Sequence, residues 1–190
     1  TVTGHLEEVS EVAIQSSKEA VSLCVVMAGV TALWVGMMRI AEKSGLLEAM
    51  EQRMQPVLNF LFPEIPGNHP SRKSIATNLL ANVLGLGWAA TPAGLKAMEE
   101  LADLEEERRR KKQRAVPIGA ASNEMCDFLI LNISSLQLIP VSIIAFRTEY
   151  GSVAPTAIVG PAILATAVST GIAIFYIKIR KYIYRKLFDR

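Results

Sequence analysis

The chain has 190 residues, of which 51% are hydrophobic and 20% are charged, and its formal net charge is +2. The small net charge is uninformative, but the charged residues are segregated by four uncharged runs of 19 or more residues, at 20–38, 74–95, 128–146 and 150–177. A soluble domain of this size would scatter Lys and Glu through such runs, so they predict membrane segments, which need about 20 residues as helices. The two cysteines are too few for a disulfide framework or a metal cluster.

The first predicted elements are an amphipathic helix over 4–19 and a membrane span over 20–38. Leu6, Val9 and Ala13 recur at helical spacing among acidic residues, which suits a helix on the membrane surface. The alternative is that 4–19 is only the solvated beginning of the span. A second amphipathic helix follows Ser44 and suits the interface or a shallow re-entrant position. The stretch 63–70 is predicted to be a turn-rich connector between this helix and the next segment, because its three prolines and one glycine cannot sustain a helix.

The run 74–95 is long enough to cross a bilayer, but it is a poor continuous helix. Its second half holds the predicted break positions Gly85, Gly87, Pro92 and Gly94. It also places polar side chains at membrane depth, namely Asn78, Asn82 and Thr91. Irregular backbone is tolerated at that depth only where it is buried in protein or lines a cavity, and an interrupted span indicates a transporter binding site. The alternative is that the glycines merely let helices pack closely.

A charged helix is predicted over 99–116, ended by Pro117. It contains acid-before-base pairs at i,i+4, which are Glu105–Arg109, Glu106–Arg110 and Glu107–Lys111. The basic block RRRKKQR (108–114) resembles a nucleic-acid-binding patch, but cytoplasmic loops of membrane proteins carry the same excess of Lys and Arg. We therefore expect a solvated cytoplasmic segment and no nucleic-acid partner.

The third membrane segment, 120–146, is predicted to be an opened helix. Its middle carries Asn132, Ser134, Ser135 and Gln137, followed by Pro140, which cannot donate a backbone hydrogen bond. Glu124 and Asp127 lie at its edge, where we expect carboxylates to face water.

The fourth run is divided by its prolines. The part around Pro155, Gly160 and Pro161 is expected to be a short re-entrant element, and 164–177 a full span. The basic tail after it should be cytoplasmic, like the block at 108–114, with 147–152 on the opposite side of the membrane.

The functional expectation concerns binding rather than catalysis. Two opened helices that face one another near the midplane would present free N–H and carbonyl groups, amides and hydroxyls to a small polar solute. Thr91, Ser134 and Ser135 could add hydroxyl ligands for a coupling ion, Na⁺ or H⁺. The alternative is a non-transporting scaffold whose polar side chains hold helices together. No catalytic residue, resident cofactor or protein-bound metal is predicted, because no Ser–His, Cys–His or HExxH arrangement falls in the apolar runs.

Three stretches resemble a known family. NLLANVLGLGWAATPAGLKAM (78–98), NISSLQLIPVSIIAFR (132–147) and PTAIVGPAILAT (155–166) are similar, in order and spacing, to the signature of spore maturation protein A. The family pattern GLGNAATP has Asn where this chain has Trp88, which removes one amide at the predicted break.

The resemblance implies a single membrane domain over 1–190 of the nucleoside recognition, or Gate, type. Related domains occur in concentrative nucleoside transporters and in bacterial ferrous-iron transporters. It also implies a multi-pass protein of the bacterial inner membrane, with spore maturation protein B as a partner or a fused second half, and a role in spore-core dehydration. We therefore expect an all-α, polytopic, oligomeric membrane protein with broken or re-entrant helices, an amphipathic interfacial helix and a cytoplasmic C-terminal tail.

Overall fold

The computed structural model describes the backbone of residues 6–85, 87–134 and 137–188. Regular structure in these ranges is entirely helical, which confirms the predicted all-α class. The helices are α1 (Leu6–Lys43), α2 (Leu46–Leu61), α3 (Ser71–Val83), α4 (Gly87–Arg110), α5 (Asn123–Ser134), α6 (Val141–Glu149) and α7 (Val159–Phe188), with a 3-10 turn at Pro155–Ile158 before α7.

The first two predicted elements are one helix. Helix α1 is continuous over 38 residues, so the prediction of a separate amphipathic helix over 4–19 is wrong for the described residues from Leu6 onward. Gly and Pro, which would end a helix, are lacking between Leu6 and Ala28. Helix α1 packs mainly on α2 and α6, and its apolar side chains remain exposed, Val12, Val21 and Leu33 among them.

The fourth run also forms one long helix. Gly160 and Pro161 lie in the first turn of α7, where the missing N–H of proline costs no intrahelical bond. The predicted re-entrant element is therefore wrong, and only the 3-10 turn stands in its place. Two segments are long and apolar enough to cross a membrane, Glu8–Met37 and Pro155–Ile183, and both are almost wholly uncovered by protein.

The hydrophobic core lies between α2, α3, α4, α5 and α7. Leu101 in the middle of α4 is buried, and so are Leu58 and Phe62 at the end of α2, Phe128 of α5 and Ile177 of α7. Helix α3 packs closely against α4 and contributes Ile75 to the same cluster. Charged segments extend from this core at the ends of α4 and α7.

The charged helix ends earlier than predicted. Helix α4 stops at Arg110, and Pro117 lies in the loop that follows. Lys112 adopts a left-handed φ of 54°, and the N–H of Gln113 donates to the carbonyl of Arg108 at 2.9 Å. This pattern of a left-handed residue with a backward hydrogen bond terminates helices.

Two of the uncharged runs do not form continuous helices. The 74–95 run is divided between α3 and α4, and the 128–146 run between α5 and α6. Gly85 lies in the first gap with a φ of +77°, a conformation that favours glycine. Gly87 begins α4, so Pro92 and Gly94 lie inside this helix and the prediction that they interrupt it is wrong. Pro92 removes one intrahelical donor without ending the helix.

Candidate functional site

The two gaps between helices lie against each other. The backbone N–H of Leu138, in the α5–α6 gap, donates to the carbonyl of Val83 at the end of α3, at 2.8 Å. A β-carbon on Gly85 would lie 1.8 Å from the carbonyl oxygen of Ile139, which no side chain could tolerate. The backbones of the two gaps are therefore in direct contact, and only glycine fits at position 85.

Three predicted asparagines form a chain of amides across α3, α4 and α5. Asn78 is 3% exposed, and its Nδ2 donates to the carbonyl of Ala90 at 2.8 Å. The Nδ2 of Asn82 donates to Oδ1 of Asn132 at 2.8 Å and approaches Oδ1 of Asn78 at 3.3 Å. A β-carbon on Gly94 would lie 2.8 Å from Nδ2 of Asn78, so this glycine makes room for the amide. The amides thus bind mainly to protein groups.

The α5–α6 gap is held by hydroxyl groups of α7. Ser134 Oγ donates to the carbonyl of Leu131 at 2.7 Å and lies 3.2 Å from Thr170 Oγ1. Thr166 Oγ1 lies 3.4 Å from the carbonyl oxygen of Gln137. Both threonines were missed at the sequence level, although their spacing of four places them on one face of an apolar helix. The predicted residue Ser135 lies outside the described residues.

A cleft of about 470 Å³ opens where the two gaps meet. Four predicted residues line it, Gly85, Thr91, Gln137 and Pro140, and so do Val141, Ser142 and Ile143. Ser142 was missed, although it follows Pro140 by only two residues. The cleft brings α4 and the α5–α6 gap to one polar surface, whereas the three asparagines and Ser134 are not among its lining residues.

A second polar region lies at the charged end of α4. Arg108 Nη1 contacts Oε1 of Glu105 at 2.5 Å and Oε1 of Glu124 at 2.7 Å. Both carboxylates are buried, and Glu105 also accepts the N–H of Val116 at 3.0 Å. Burial alone would lower the pKa of Arg108, but hydrogen bonds and charge attraction from Glu124 and Glu105 raise it above its ordinary value.

The expectation that this end is simply solvated is therefore wrong in part. Glu105 pairs with Arg108, and the side chain of Arg109 donates instead to the Glu105 carbonyl at 3.3 Å. The other two predicted pairs are confirmed, with Glu106–Arg110 at 2.6 Å and Glu107–Lys111 at 3.2 Å.

Asp127 forms the centre of a further ion cluster. It is 0% exposed, and its carboxylate contacts Arg180 Nη2 at 2.5 Å and Lys181 Nζ at 2.9 Å. Lys181 also donates to the carbonyl of Leu61 at 3.1 Å, which ties α2 to α5 and α7. The expectation that Glu124 and Asp127 face water is therefore wrong, because tertiary packing brings cations from α4 and α7 over them.

Two uncovered apolar helices of membrane-crossing length, beside a helical core with two facing gaps, indicate an all-helical membrane protein. The chain is similar to the spore maturation protein A of Bacillus subtilis (strain 168), with 42% identity over 183 residues that cover 96% of this chain and 87% of the relative. The chain therefore belongs to the spore maturation protein A family. No family model matches the chain. No solved structure matches it either.

Proposed function

We propose that this chain is a protein subunit located in the bacterial inner membrane. It binds a small polar solute in the cleft between its two helix gaps and takes part in transporting that solute across the membrane. One observation carries the proposal: residues of both gaps, Gly85 from the first and Gln137 and Pro140 from the second, line a single cleft of about 470 Å³. That volume is within the range of small-molecule sites, which is about 300–1,000 Å³. Opened helices that meet at a cavity are also the arrangement by which transporters bind solutes at membrane depth.

The lining favours an uncharged polar solute. Thr91 and Ser142 offer hydroxyls, Gln137 offers an amide, and none of the seven described lining residues carries a formal charge. Amide and hydroxyl groups supply both donors and acceptors, as a nucleobase or a sugar requires. A nucleoside-like solute, the type named by the Gate-domain resemblance, fits this chemistry better than a phosphate-bearing one.

The proposed membrane orientation follows from the ion clusters. Contacts of Arg108 with Glu124, and of Arg180 with Asp127, bring the basic ends of α4 and α7 to the same end of α5. An excess of Lys and Arg marks the cytoplasmic side, so we place this end and the C-terminal tail in the cytoplasm. The exposed apolar faces of α1 and α7 would contact lipid, a second copy, or a subunit like spore maturation protein B.

A scaffold without transport activity is the second candidate. It is favoured by the amide chain, because the Nδ2 groups of Asn78 and Asn82 donate to protein oxygens and join three helices. In that case the role of the chain in sporulation, which the name of its relative indicates, would be limited to holding a membrane complex together.

The test is solute binding and uptake by the chain, reconstituted in proteoliposomes with its spore maturation protein B-like partner. Radiolabelled nucleosides, amino acids and sugars should be screened against the wild type, then against Ser142→Ala and Gln137→Leu. We expect at least tenfold weaker binding of the preferred solute by each variant. The matched control is Ser169→Ala, an exposed serine of α7 outside the cleft. Unchanged binding by both cleft variants would show that the solute does not bind in this cleft. If the wild type binds none of the solutes, the scaffold function is favoured.

A further inference from the structure

Helices α3 and α4 lie side by side and run in opposite directions. Asn78 of α3 donates to the carbonyl of Ala90, near the start of α4, at 2.8 Å. Towards the outer ends, Pro70 before α3 and Leu104 of α4 line the same pocket. Positions that adjoin each other therefore fall along α3 as they rise along α4, which is the arrangement of an antiparallel helical hairpin.

The outer ends of this hairpin lie at one surface of the protein. Nη2 of Arg108, near the end of α4, donates to the carbonyl of Glu64 in the connector 62–70, which precedes α3, at 2.9 Å. A second pocket, also of about 470 Å³, is lined by Asn68 of the connector and by Gln113 of the loop after α4. The connector therefore lies on the same side of the membrane as the basic end of α4.

Helix α3 is too short to cross a bilayer. Its 13 residues rise about 20 Å, whereas the hydrocarbon core is about 30 Å thick. After α3 the backbone turns at Gly85, whose φ is +77°, and α4 begins at Gly87. The uncharged residues 74–95 are thereby divided between two arms of about ten residues, or roughly 15 Å, each. Such arms reach the middle of the bilayer and return.

The tip of the hairpin is sheltered by protein. The N–H of Leu138 donates to the carbonyl of Val83 at 2.8 Å, and Gly85 packs against the carbonyl of Ile139. Backbone outside regular helix is tolerated within a membrane only where it is buried in protein or lines a cavity. The α5–α6 gap supplies that protein surface at the tip.

We propose that α3 and α4 form a re-entrant hairpin, which enters the membrane from the cytoplasmic side, turns at Gly85 and returns to the cytoplasm. The cytoplasmic direction rests on the orientation proposed above, whereas the placement of both ends on one side rests on the contacts of the hairpin alone. Gly85 also lines the proposed cleft, so a solute bound there would contact the embedded tip of the hairpin.

Cysteine labelling of the full chain in membrane vesicles tests this topology. In a background of Cys24→Ser and Cys126→Ser, single cysteines replace three exposed residues, Asn68 in the connector, Gln113 in the basic loop and Tyr150 after α6. In inverted vesicles, a membrane-impermeant maleimide should label Asn68→Cys and Gln113→Cys. In right-side-out vesicles it should label Tyr150→Cys, which is the control for the opposite side.

Two further measurements examine the depth of the tip and the proximity of the ends. Pro92→Cys, at an exposed position near the start of α4, should react at least about tenfold more slowly than Asn68→Cys, because apolar surroundings disfavour the reactive thiolate. A short bifunctional maleimide should cross-link Asn68→Cys to Gln113→Cys within one chain, since both residues line one pocket.

Labelling of Asn68→Cys and Gln113→Cys from opposite sides, or the absence of a cross-link between them, would overturn the hairpin. Labelling of Pro92→Cys as fast as that of Asn68→Cys would overturn it as well, because the tip would then lie in water. None of these readouts requires a bound solute, so failure here is distinguishable from failure of the solute-binding proposal.

Discussion

Gly85 and Ile139 lie in backbone contact where the two helix gaps cross, and a β-carbon at position 85 would be 1.8 Å from the Ile139 carbonyl oxygen. The positive φ of Gly85, +77°, adds a second reason why other residues are excluded. This crossing brings the α3–α4 gap to the α5–α6 gap and so forms one wall of the proposed cleft. Its geometry leads to the first prediction.

Gly85→Ala should destabilise the protein by at least about 2–3 kcal/mol. The alanine would have to adopt a left-handed backbone conformation, and its β-carbon would clash with the backbone of Ile139. The measurement is denaturant or thermal unfolding in detergent. Gly171→Ala in α7 is the control, since a β-carbon there meets no atom within 4 Å. A Gly85→Ala variant as stable as the control would contradict the crossing.

The hydrogen bond between Asn82 and Asn132 should be visible as an energetic coupling. A double-mutant cycle with Asn82→Ala and Asn132→Ala isolates the pair, and membrane hydrogen bonds of this kind contribute about 0.6 kcal/mol on average and up to about 1.7 kcal/mol. We expect a coupling in that range from unfolding measurements. Strictly additive losses would mean that the two amides do not interact.

Gly94→Ala should act through Asn78. Its new β-carbon would lie 2.8 Å from the amide nitrogen that bonds to Ala90, so the amide must move and its bond must weaken. We expect a loss of about 1–2 kcal/mol in the wild type. In an Asn78→Ala background the same glycine substitution should cost much less, because the obstructing amide is gone. An equal cost in both backgrounds would show that Gly94 is needed for another reason.

Asp127→Asn should be strongly destabilising, by about 3–5 kcal/mol, because it leaves Arg180 and Lys181 without their buried counter-ion. Thermal unfolding checks the size of the loss. The control is Glu106→Gln, which breaks the exposed ion pair with Arg110 and should leave stability unchanged. Comparable behaviour of the two variants would be inconsistent with a buried cluster at Asp127.

Much of the candidate site could be predicted locally. The clustering of glycine and proline beside Asn82, and of polar residues before Pro140, indicated two interruptions, because these residues oppose regular helix wherever they occur. The exact break could not be predicted, because propensity ranks Pro92, at about 3 kcal/mol, above Gly85 and Gly94, at about 1 kcal/mol each, whereas Pro92 lies inside a continuous helix. Packing distinguishes them: Gly85 meets another backbone and needs a left-handed φ, whereas Gly94 makes room for Asn78 within a continuous helix.

The sequence by itself determined the helical class, the apolar stretches that lie within α1 and α7, and the family, because hydropathy and signature stretches are properties of neighbouring residues. Tertiary structure alone decided that Asn82 bonds to Asn132, that Asp127 is enclosed by Arg180 and Lys181, and that Thr166 and Thr170 meet the α5–α6 gap. Each of these contacts joins residues 29 or more positions apart, as with Gln137 and Thr166. Such contacts depend on how helices pack across the core, which no local pattern specifies.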